Sequence, residues 1–290
     1  MPGDVVGTDV AMCGQSVDVD DGTDIELTFT TRERESAMTP RLEGTVALVA
    51  GASSGIGEAT AVALAAEGAT VAVAARRRDR LEALAERIGD DSRVLVLETD
   101  VTDESQARAM VERTVAEYGR LDTLVNNAGV MLLGPIVDAP VEEWRRMVEL
   151  NVLGLLYCTH AALPHLLRAA EDDPRRVADI VNVSSVAGRV ARQNSGVYNA
   201  TKFGVVAFSE SLRQEVTKRH VRISIVEPGA VMTELASHNR PEIREGMRAT
   251  FGGMEMLQSV DIADAIVFTV TRPRHVAVNE VLVRPTEQER

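Results

Sequence analysis

The sequence has very little cysteine and few aromatic side chains. Its 290 residues include two cysteines, and Phe, Trp and Tyr together make up 3%. Cys13 lies in an acidic leader and Cys158 in an apolar helical pattern, so the two do not form the disulfide framework of a small secreted domain. Cys158 is therefore expected to be a small core residue. With 45% hydrophobic residues, the chain predicts a sizeable core of Ala, Val, Leu and Ile.

Extended basic tracts and long apolar runs are missing as well. The formal net charge is -13, and residues 1–37 carry nine acidic and two basic side chains. Phosphate affinity comes from clustered Lys and Arg, so we expect neither a nucleic acid nor an anionic membrane as partner. No run approaches the ~18 uninterrupted apolar residues of a membrane span, and the leader has no apolar signal core. The expected location is the cytoplasm.

The first 40 residues differ from the rest of the chain. They are rich in Asp, Thr, Gly and Ser and show no sustained periodicity, which predicts a disordered leader. Translation that begins at Met38 is an alternative. Residues 41–290 show no internal repeat and are predicted to form one domain.

Beyond Pro40, short β-branched runs alternate with longer amphipathic stretches, as in repeated βαβ units. The predicted strands are Thr45–Ala50, Thr70–Ala75, Arg93–Thr99, Leu121–Asn126, Asp179–Val183, Arg222–Val226 and Glu280–Val283. The predicted helices are Gly55–Glu67, Arg78–Ile88, Glu104–Tyr118, Val141–Ala170, Tyr198–Arg219 and Ile262–Val270. This order predicts an α/β fold with a doubly wound parallel sheet of seven strands, helices on both faces and right-handed crossovers.

The alternation stops between Met232 and Ser259. This stretch contains Pro241 and Gly246 together with several methionines, which predicts a mobile segment of short helices. Because it follows the carboxyl end of a strand, residues 232–259 are where a substrate lid belongs.

A glycine-rich turn follows the first strand. It reads Gly51-Ala52-Ser53-Ser54-Gly55-Ile56-Gly57 and opens a helix. Glycines permit a tight turn and let the backbone approach a pyrophosphate, whose charge sits at the amino end of the helix. An ordinary strand-to-helix loop is the alternative. The position after the first strand favours a dinucleotide site, whose predicted contacts are Gly51, Ser53, Ser54, Gly55, Ile56 and Gly57.

The end of the second strand carries the signal for the kind of cofactor. NAD enzymes place an acidic residue there for the ribose hydroxyls, whereas arginine accommodates a 2′-phosphate. Ala75 takes that position, and Arg76 and Arg77 follow. The pattern favours NADP (NADPH) over NAD, with Arg76 as the main contact and Arg77 as the second. A solvated basic helix start is the alternative, because Arg80 continues the charge.

Tyr198 and Lys202 form a candidate acid/base pair. They lie four residues apart on a predicted helix and therefore share a face, where the ammonium favours the tyrosinate. The chain has two lysines, Lys202 and Lys218, against 29 arginines, which makes a lysine at this spacing more notable. An incidental surface pair is the alternative.

These motifs, taken in order, resemble the short-chain dehydrogenase/reductase family. The usual TGxxxGIG turn is present with Ala50 in place of threonine. The other matching marks are Asp100-Val101, Asn126-Asn127-Ala128-Gly129, Asn151, Ser184-Ser185, Tyr198-Asn199-Ala200-Thr201-Lys202, and Pro228-Gly229 with Thr233. The resemblance covers roughly residues 41–290. It implies a Rossmann-like fold and an oxidoreductase that moves a hydride between a nicotinamide and a carbonyl or secondary alcohol.

The resemblance also implies the catalytic roles. Ser185, thirteen positions before Tyr198, would polarise the substrate oxygen beside the tyrosine. Side chains alternate along a strand, so only one of Ser184 and Ser185 can face the site, and the spacing selects Ser185. Asn151 would bend its helix and hold a water that relays protons to Lys202; a buried, hydrogen-bonded core asparagine is the alternative.

Further cofactor contacts follow from the same resemblance. Asp100 matches the residue that bonds the adenine, and Val101 would pack on the ring. Asn127 would line the cofactor cleft, and Thr233 would hydrogen-bond the nicotinamide carboxamide. Tyr198 and Lys202 are also expected to contact the cofactor.

Substrate and partners are less well defined. The ending Asn279–Thr286, with the double arginine, resembles NADP-dependent members acting on small hydroxy acids, serine-like substrates and clavulanate-type aldehydes. An NADP-sensing binding protein and an epimerase or dehydratase with internal redox remain alternatives. No metal site is predicted. The resemblance implies a homo-dimer or homo-tetramer built through the helices Val141–Ala170 and Tyr198–Arg219.

Overall fold

The computed structural model describes residues 40–89, 93–172 and 174–289, without the side chains of residues 250 and 251. Apart from Pro40, the predicted leader lies outside these residues. The described chain forms one seven-stranded sheet in the order β3-β2-β1-β4-β5-β6-β7. Every neighbouring pair is parallel. The predicted doubly wound, Rossmann-like parallel sheet is confirmed.

The strands differ from their predicted bounds by at most two residues. They are β1 Val46–Ala50, β2 Thr70–Ala75, β3 Val94–Glu98, β4 Thr123–Asn126, β5 Ala178–Val183, β6 Val221–Pro228 and β7 Glu280–Val283. The chain reverses its direction of winding between β1 and β4, which are neighbours in the sheet. Loops at the carboxyl ends of both strands diverge there and leave a crevice.

The described residues form eight α-helices. They are α1 Gly55–Ala66, α2 Arg78–Ile88, α3 Glu104–Tyr118, α4 Val141–Val148, α5 Leu155–Ala169, α6 Gly196–Val216, α7 Pro241–Phe251 and α8 Ser259–Val270. Local chemistry sets several ends. The Asp103 carboxylate accepts hydrogen bonds from the backbone of Ser105 and Gln106 at the start of α3, and Gly119 ends that helix with a positive φ.

Two large apolar layers pack on the sheet, one on each face, and a smaller buried cluster contains Val130, Leu132, Met147 and Tyr198. Leu48 and Val49 are adjacent in β1 and fully buried, but each packs into a different layer, because side chains of a strand alternate between its faces. Cys158 belongs to the first layer, and burial raises the pKa of its thiol to about 12. It is a core residue, as predicted.

The predicted helix Val141–Ala170 is present as one helical run, Val141–Ala169, but it is not α-helical throughout. A π-helical segment, Glu149–Gly154, separates α4 from α5. The side chain of Asn151 makes two hydrogen bonds to the backbone of Val130 in the neighbouring loop, and these bonds hold the wider turn in place. The local bend expected at Asn151 is thus present, whereas Pro164 lies within α5 without ending it.

Among the described helices, one has the length and the apolar composition that a membrane span requires. It is the helical run Val141–Ala169. Its apolar side chains have partners inside the fold. Leu155, Cys158 and Leu166 are buried, and α5 packs on α3, β4 and β5. This packing is that of a core helix laid on a sheet.

Candidate functional site

A cavity of about 440 Å³ lies at the carboxyl ends of the strands. Loops that follow each of β1 to β6 contribute to its wall, so residues far apart in sequence meet there. The sequence-predicted residues that line it are Gly51, Ser53, Ser54, Gly55, Ile56, Arg76, Arg77, Asp100, Val101, Asn127, Ser185, Tyr198, Lys202 and Thr233. Two further predicted residues, Gly57 and Asn151, do not line the cavity but lie behind the residues that do.

The glycine-rich turn forms one end of the cavity. Gly51 has φ +82°, and a Cβ at this position would lie 2.7 Å from the backbone of Ala128. Ser54 caps α1 without a side-chain hydrogen bond to the helix, which leaves the first N–H groups for another acceptor. An anionic group such as a pyrophosphate fits this arrangement.

Gly57 serves the packing of the turn. A Cβ there would lie 2.3 Å from the Gly51 carbonyl oxygen and 2.5 Å from Asn127 Nδ2. Asn127 in turn donates from Nδ2 to that same carbonyl at 2.9 Å. Gly57 therefore lets α1 approach the turn, and Asn127 ties the loop after β4 to it.

The two arginines after β2 have different surroundings. Arg77 donates to the hydroxyls of Ser53 (3.1 and 2.9 Å) and Ser54 (2.7 Å). The Arg76 side chain is 63% exposed, and its nearest acidic partner is Asp100 at 3.9 Å. Arg77, expected as the second contact, is thus the arginine that is integrated into the glycine-rich turn.

Asp100 and Val101 line the wall next to these arginines. Asp100 Oδ1 accepts hydrogen bonds from the backbone N–H and the hydroxyl of Thr102, at 3.0 and 2.8 Å. Val101 is nearly buried and lies against the π-helical segment, where a Cβ on Gly154 would come within 3.0 Å of it. The carboxylate is therefore held in a fixed orientation beside an apolar side chain.

Tyr198 and Lys202 are buried at the other end of the cavity, with 5% and 7% of their surface exposed. Lys202 Nζ donates to the Val183 carbonyl at 2.9 Å and lies 5.9 Å from the centre of the Tyr198 ring. Burial raises the pKa of Tyr198 to about 12, opposed by a hydrogen bond with Ser185. Burial also lowers the pKa of Lys202 to about 8.

Burial is the largest influence on the pKa of Tyr198 in this structure, and stabilisation of the tyrosinate by Lys202 stays a prediction. Loss of hydration disfavours both the tyrosinate and the ammonium, and for Tyr198 this effect is the largest. The tyrosine consequently keeps its proton at neutral pH, which suits a proton donor.

The two serines after β5 point to different neighbours. Ser184 donates to the backbone carbonyl of Lys202 at 3.2 Å and is 3% exposed. Ser185 Oγ donates to the Pro228 carbonyl at 3.4 Å, accepts from the backbone N–H of Ala187 at 3.1 Å, and lies close enough to Tyr198 to lower the pKa of the tyrosine. The structure places Ser185 beside the tyrosine, as the spacing predicted.

Asn151 connects three elements behind the wall. Its Oδ1 accepts from Val130 N at 2.8 Å, and its Nδ2 donates to Val130 O at 2.8 Å and to Thr201 Oγ1 at 3.2 Å. The residue is 2% exposed. Both sequence interpretations, a bent helix and a buried hydrogen-bonded amide, describe it, while the relay of protons through a water stays a prediction.

Residues 232–259 consist of short helices, as predicted: a 3₁₀ segment, Glu234–His238, followed by α7. Met247, Met256 and His238 of this segment line the cavity. Thr233 lies beside the glycine-rich turn, since a Cβ on Gly55 would come within 3.2 Å of its methyl group. Residues of this segment thus form part of the cavity wall, and its role as a lid stays a prediction.

Sequence reasoning missed several residues that hold the site together. Asn199 donates from Nδ2 to the carbonyls of Ala187 and Val190 and fixes the loop beside Tyr198. Asn239 bonds the backbone of the loop after β4 from within the lid. Asn199 could have been found from its place in the Tyr-Asn-Ala-Thr-Lys motif, whereas Asn239 carried no sequence signal.

Known proteins resemble this chain over most of its length. The family model described as short chain dehydrogenase matches residues 45–244. An uncharacterized oxidoreductase of Staphylococcus haemolyticus is 37% identical over 244 residues, which are 84% of this chain and 98% of that protein.

Solved structures agree with the sequence match. A serine dehydrogenase in its closed form, complexed with NADP+, is 32% identical with a TM-score of 0.77 and covers 85% of this chain and 97% of its own. A 3-ketoacyl-(acyl-carrier-protein) reductase from Brucella melitensis, complexed with NADH, is 30% identical with a TM-score of 0.73, at 84% and 98% coverage.

The resemblance that the sequence motifs carried is therefore confirmed by the whole domain. The matched residues include the glycine-rich turn, Ser185, Tyr198 and Lys202, and the structural neighbours bind a nicotinamide cofactor in the same fold. The chain belongs to the short-chain dehydrogenase family and is an oxidoreductase.

Proposed function

We propose that this dehydrogenase interconverts a carbonyl and a secondary alcohol with NADPH or NADP+, using Tyr198 as its acid/base. The observation that carries the proposal is the position of Tyr198. It is buried in the wall of the cavity that the glycine-rich turn also lines, close enough to Ser185 for that side chain to lower its pKa, and one helical turn from Lys202.

The chemistry of carbonyl reduction matches these side chains. When bound, a nicotinamide cofactor supplies the hydride that reaches the carbonyl carbon. Negative charge then develops on the substrate oxygen, which needs a proton donor and a fixed hydrogen bond. Tyr198, whose pKa is raised to about 12, gives its proton to that oxygen, and the Ser185 hydroxyl donates a hydrogen bond to it.

Alcohol oxidation uses the same groups in reverse. Tyr198 must first lose its proton in order to accept one from the alcohol, so oxidation is favoured as the pH rises and reduction as it falls. A charged Lys202 stabilises the tyrosinate by attraction. Because its pKa is lowered to about 8, the lysine carries this charge at neutral pH and loses it above pH 8.

Preference for the phosphorylated cofactor rests on the residues after β2. Ala75 provides no carboxylate for ribose hydroxyls, and Arg76 and Arg77 both line the cavity. Guanidinium groups match a phosphate in charge and in hydrogen-bond geometry. The serine hydroxyls that hold Arg77 against the turn fix it at the expected adenosine end.

The proposed substrate is small, with a hydroxy acid or an aldehyde as the leading class. Leu133, Met247 and Met256 provide an apolar wall, and methionine side chains adapt to different shapes. The similarity to a serine dehydrogenase supports this class.

The experiment is nicotinamide absorbance against a panel of aldehydes, ketones and 3-hydroxy acids, with NADP(H) and NAD(H) in parallel. We expect turnover of one class, faster with the phosphorylated cofactor. Tight NADPH binding without any turnover would contradict the proposal and favour a sensor. Product formed without net change in nicotinamide absorbance would contradict it in favour of internal redox.

We further propose that the protein is a homo-dimer or homo-tetramer built through the helical layer of α4, α5 and α6. Val148 at the end of α4 and Phe203 in α6 are large apolar side chains, each 42% exposed, and a subunit contact would cover them. Light scattering after size-exclusion chromatography tests this; a monomer at micromolar concentration would contradict it.

A further inference from the structure

Glu234 occupies an unusual position for a carboxylate. It is the first residue of the lid's 3₁₀ segment and lines the cavity. Its Oε2 accepts from Arg77 at 2.8 Å and its Oε1 from Arg80 at 2.6 Å. These contacts join residues more than 150 positions apart in sequence, so the lid begins with an ion pair to α2.

Arg77 connects this carboxylate to the glycine-rich turn. One edge of its guanidinium donates to the hydroxyls of Ser53 and Ser54, and Nη1 donates to Glu234. The arginine proposed to receive a 2′-phosphate is therefore already paired with an anion. Arg80, which lies outside the cavity wall, holds the second oxygen of the same carboxylate.

A carboxylate between two guanidinium groups resembles a phosphate monoester in the sign of its charge and in accepting charge-assisted hydrogen bonds from arginine. We propose that Glu234 is an internal anion in the 2′-phosphate subsite and sets the cofactor selectivity of the enzyme, because a phosphorylated nucleotide must displace it from Arg77 while an unphosphorylated nucleotide leaves the pair intact. This inference rests on the proposed preference for NADP.

The strength of the competition follows from exposure. The side chains of Glu234, Arg77 and Arg80 are 44%, 40% and 43% exposed, so each pair is screened by water and contributes modestly. Displacement by a phosphate is therefore feasible, and loss of the carboxylate should strengthen phosphate binding roughly 3- to 10-fold. The two arginines also hold the pKa of Glu234 at about 2, so the carboxylate is charged throughout the neutral range.

The test uses adenosine 2′,5′-bisphosphate and adenosine 5′-monophosphate as probes, with dissociation constants from titration calorimetry of the full chain. The quantity compared is the ratio of the two constants in wild type, Glu234→Gln and Glu82→Gln. Glu82 is a matched control because it pairs with Arg78 on the same helix and lies outside the cavity wall. Glu234→Ala tests whether the effect follows the charge.

We expect Glu234→Gln and Glu234→Ala to raise the preference for the bisphosphate roughly 3- to 10-fold over wild type, and Glu82→Gln to leave it within about twofold. A ratio in both Glu234 variants that equals the control would overturn the inference. A lower ratio would overturn it too, since Glu234 would then orient the arginines for the phosphate. The wild-type ratio separately tests NADP preference: a ratio near one contradicts that proposal, whatever the variants do.

Discussion

Each end of the cavity contains a cationic side chain, but one of these side chains is exposed to solvent and the other is buried. At the proposed adenosine end, Arg77 is 40% exposed and paired with Glu234. At the proposed catalytic end, Lys202 is 7% exposed, has a backbone carbonyl as its hydrogen-bond acceptor and has a lowered pKa. An exposed arginine can bind a charged ligand with little effect on the free energy of unfolding, because it stays hydrated when the ligand is absent. A buried lysine can change the pKa of a neighbouring side chain, but the loss of its hydration lowers the stability of the fold.

The difference shows why catalysis and cofactor choice should respond separately to mutation. Changes at the buried end leave polar groups without partners or remove a desolvated charge, so they alter both turnover and stability. Changes at the exposed end alter binding and are screened by salt. The following variants test that separation.

Lys202→Met should abolish most turnover, by roughly 10²-fold or more, since the charge that stabilises the tyrosinate is lost. The same change should raise the free energy of unfolding at pH 7 by about 1–3 kcal/mol, because a desolvated amine is removed. Activity assays and denaturant titration check the two effects. Lys218→Met, at the exposed lysine, is the control for both.

The pH dependence of that stability gain has a definite sign. The folded-state pKa of Lys202 is about 8, below its ordinary value of 10.5. The destabilisation of wild type is therefore complete below pH 8 and disappears as the pH rises to 10.5. A gap between wild type and Lys202→Met that stays constant over this range would show that burial of the charge is not its cause.

Asn151→Leu should lower the free energy of unfolding by about 2–4 kcal/mol. It leaves the backbone N–H and carbonyl of Val130 buried without their partners. Urea denaturation of this variant measures the loss. Gln193→Leu, at an exposed amide, should stay within about 0.5 kcal/mol of wild type; equal losses in both would contradict a special role for the amide.

Arg77→Gln should weaken NADPH binding about tenfold and NADH binding by less than about twofold, since it removes a charge-assisted contact to phosphate. Titration calorimetry at two salt concentrations measures this, and the effect should shrink at the higher one. Arg78→Gln, whose guanidinium pairs with Glu82, is the matched control. Equal losses for both cofactors would contradict the phosphate assignment.

Arg76→Asp also compares the binding of NADPH with that of NADH. The sequence favoured Arg76 as the main contact, whereas the structure holds Arg77 more firmly. The substitution should weaken NADPH binding far more than NADH binding, because it places a carboxylate beside the proposed phosphate subsite. Equal losses for the two cofactors, measured in the same titrations, would remove Arg76 from that subsite.

Much of the fold and part of the site could be predicted because their signals are local. Alternating runs define the strands, the glycine spacing defines the turn after β1, and a four-residue interval puts Tyr198 and Lys202 on one helix face. The π-helical segment at Asn151 could not be derived as an element, because its hydrogen bonds go to Val130 in another loop.

The features of the site that the sequence did not predict depend on contacts between residues far apart in the chain. The sequence ranked Arg76 above Arg77, whereas the distances to Ser53, Ser54 and Asp100 show that Arg77 is the one bonded to the glycine-rich turn. The pKa of Tyr198 depends on how deeply the side chain is buried. The four-residue spacing between Tyr198 and Lys202 contains no information on burial. Local patterns predicted the proposed reacting groups, while the direction of their pKa shifts followed from packing.

The most direct test of the account compares Tyr198→Phe with Tyr157→Phe. The second variant removes a hydroxyl from a tyrosine of α5 that lies outside the cavity wall. For Tyr198→Phe, we predict that NADPH binding stays within about threefold while turnover of a substrate found in the panel falls roughly 10²- to 10⁴-fold. Turnover that stays above about a tenth of wild type in Tyr198→Phe, with Tyr157→Phe unchanged, would contradict the assignment of Tyr198 as the proton donor.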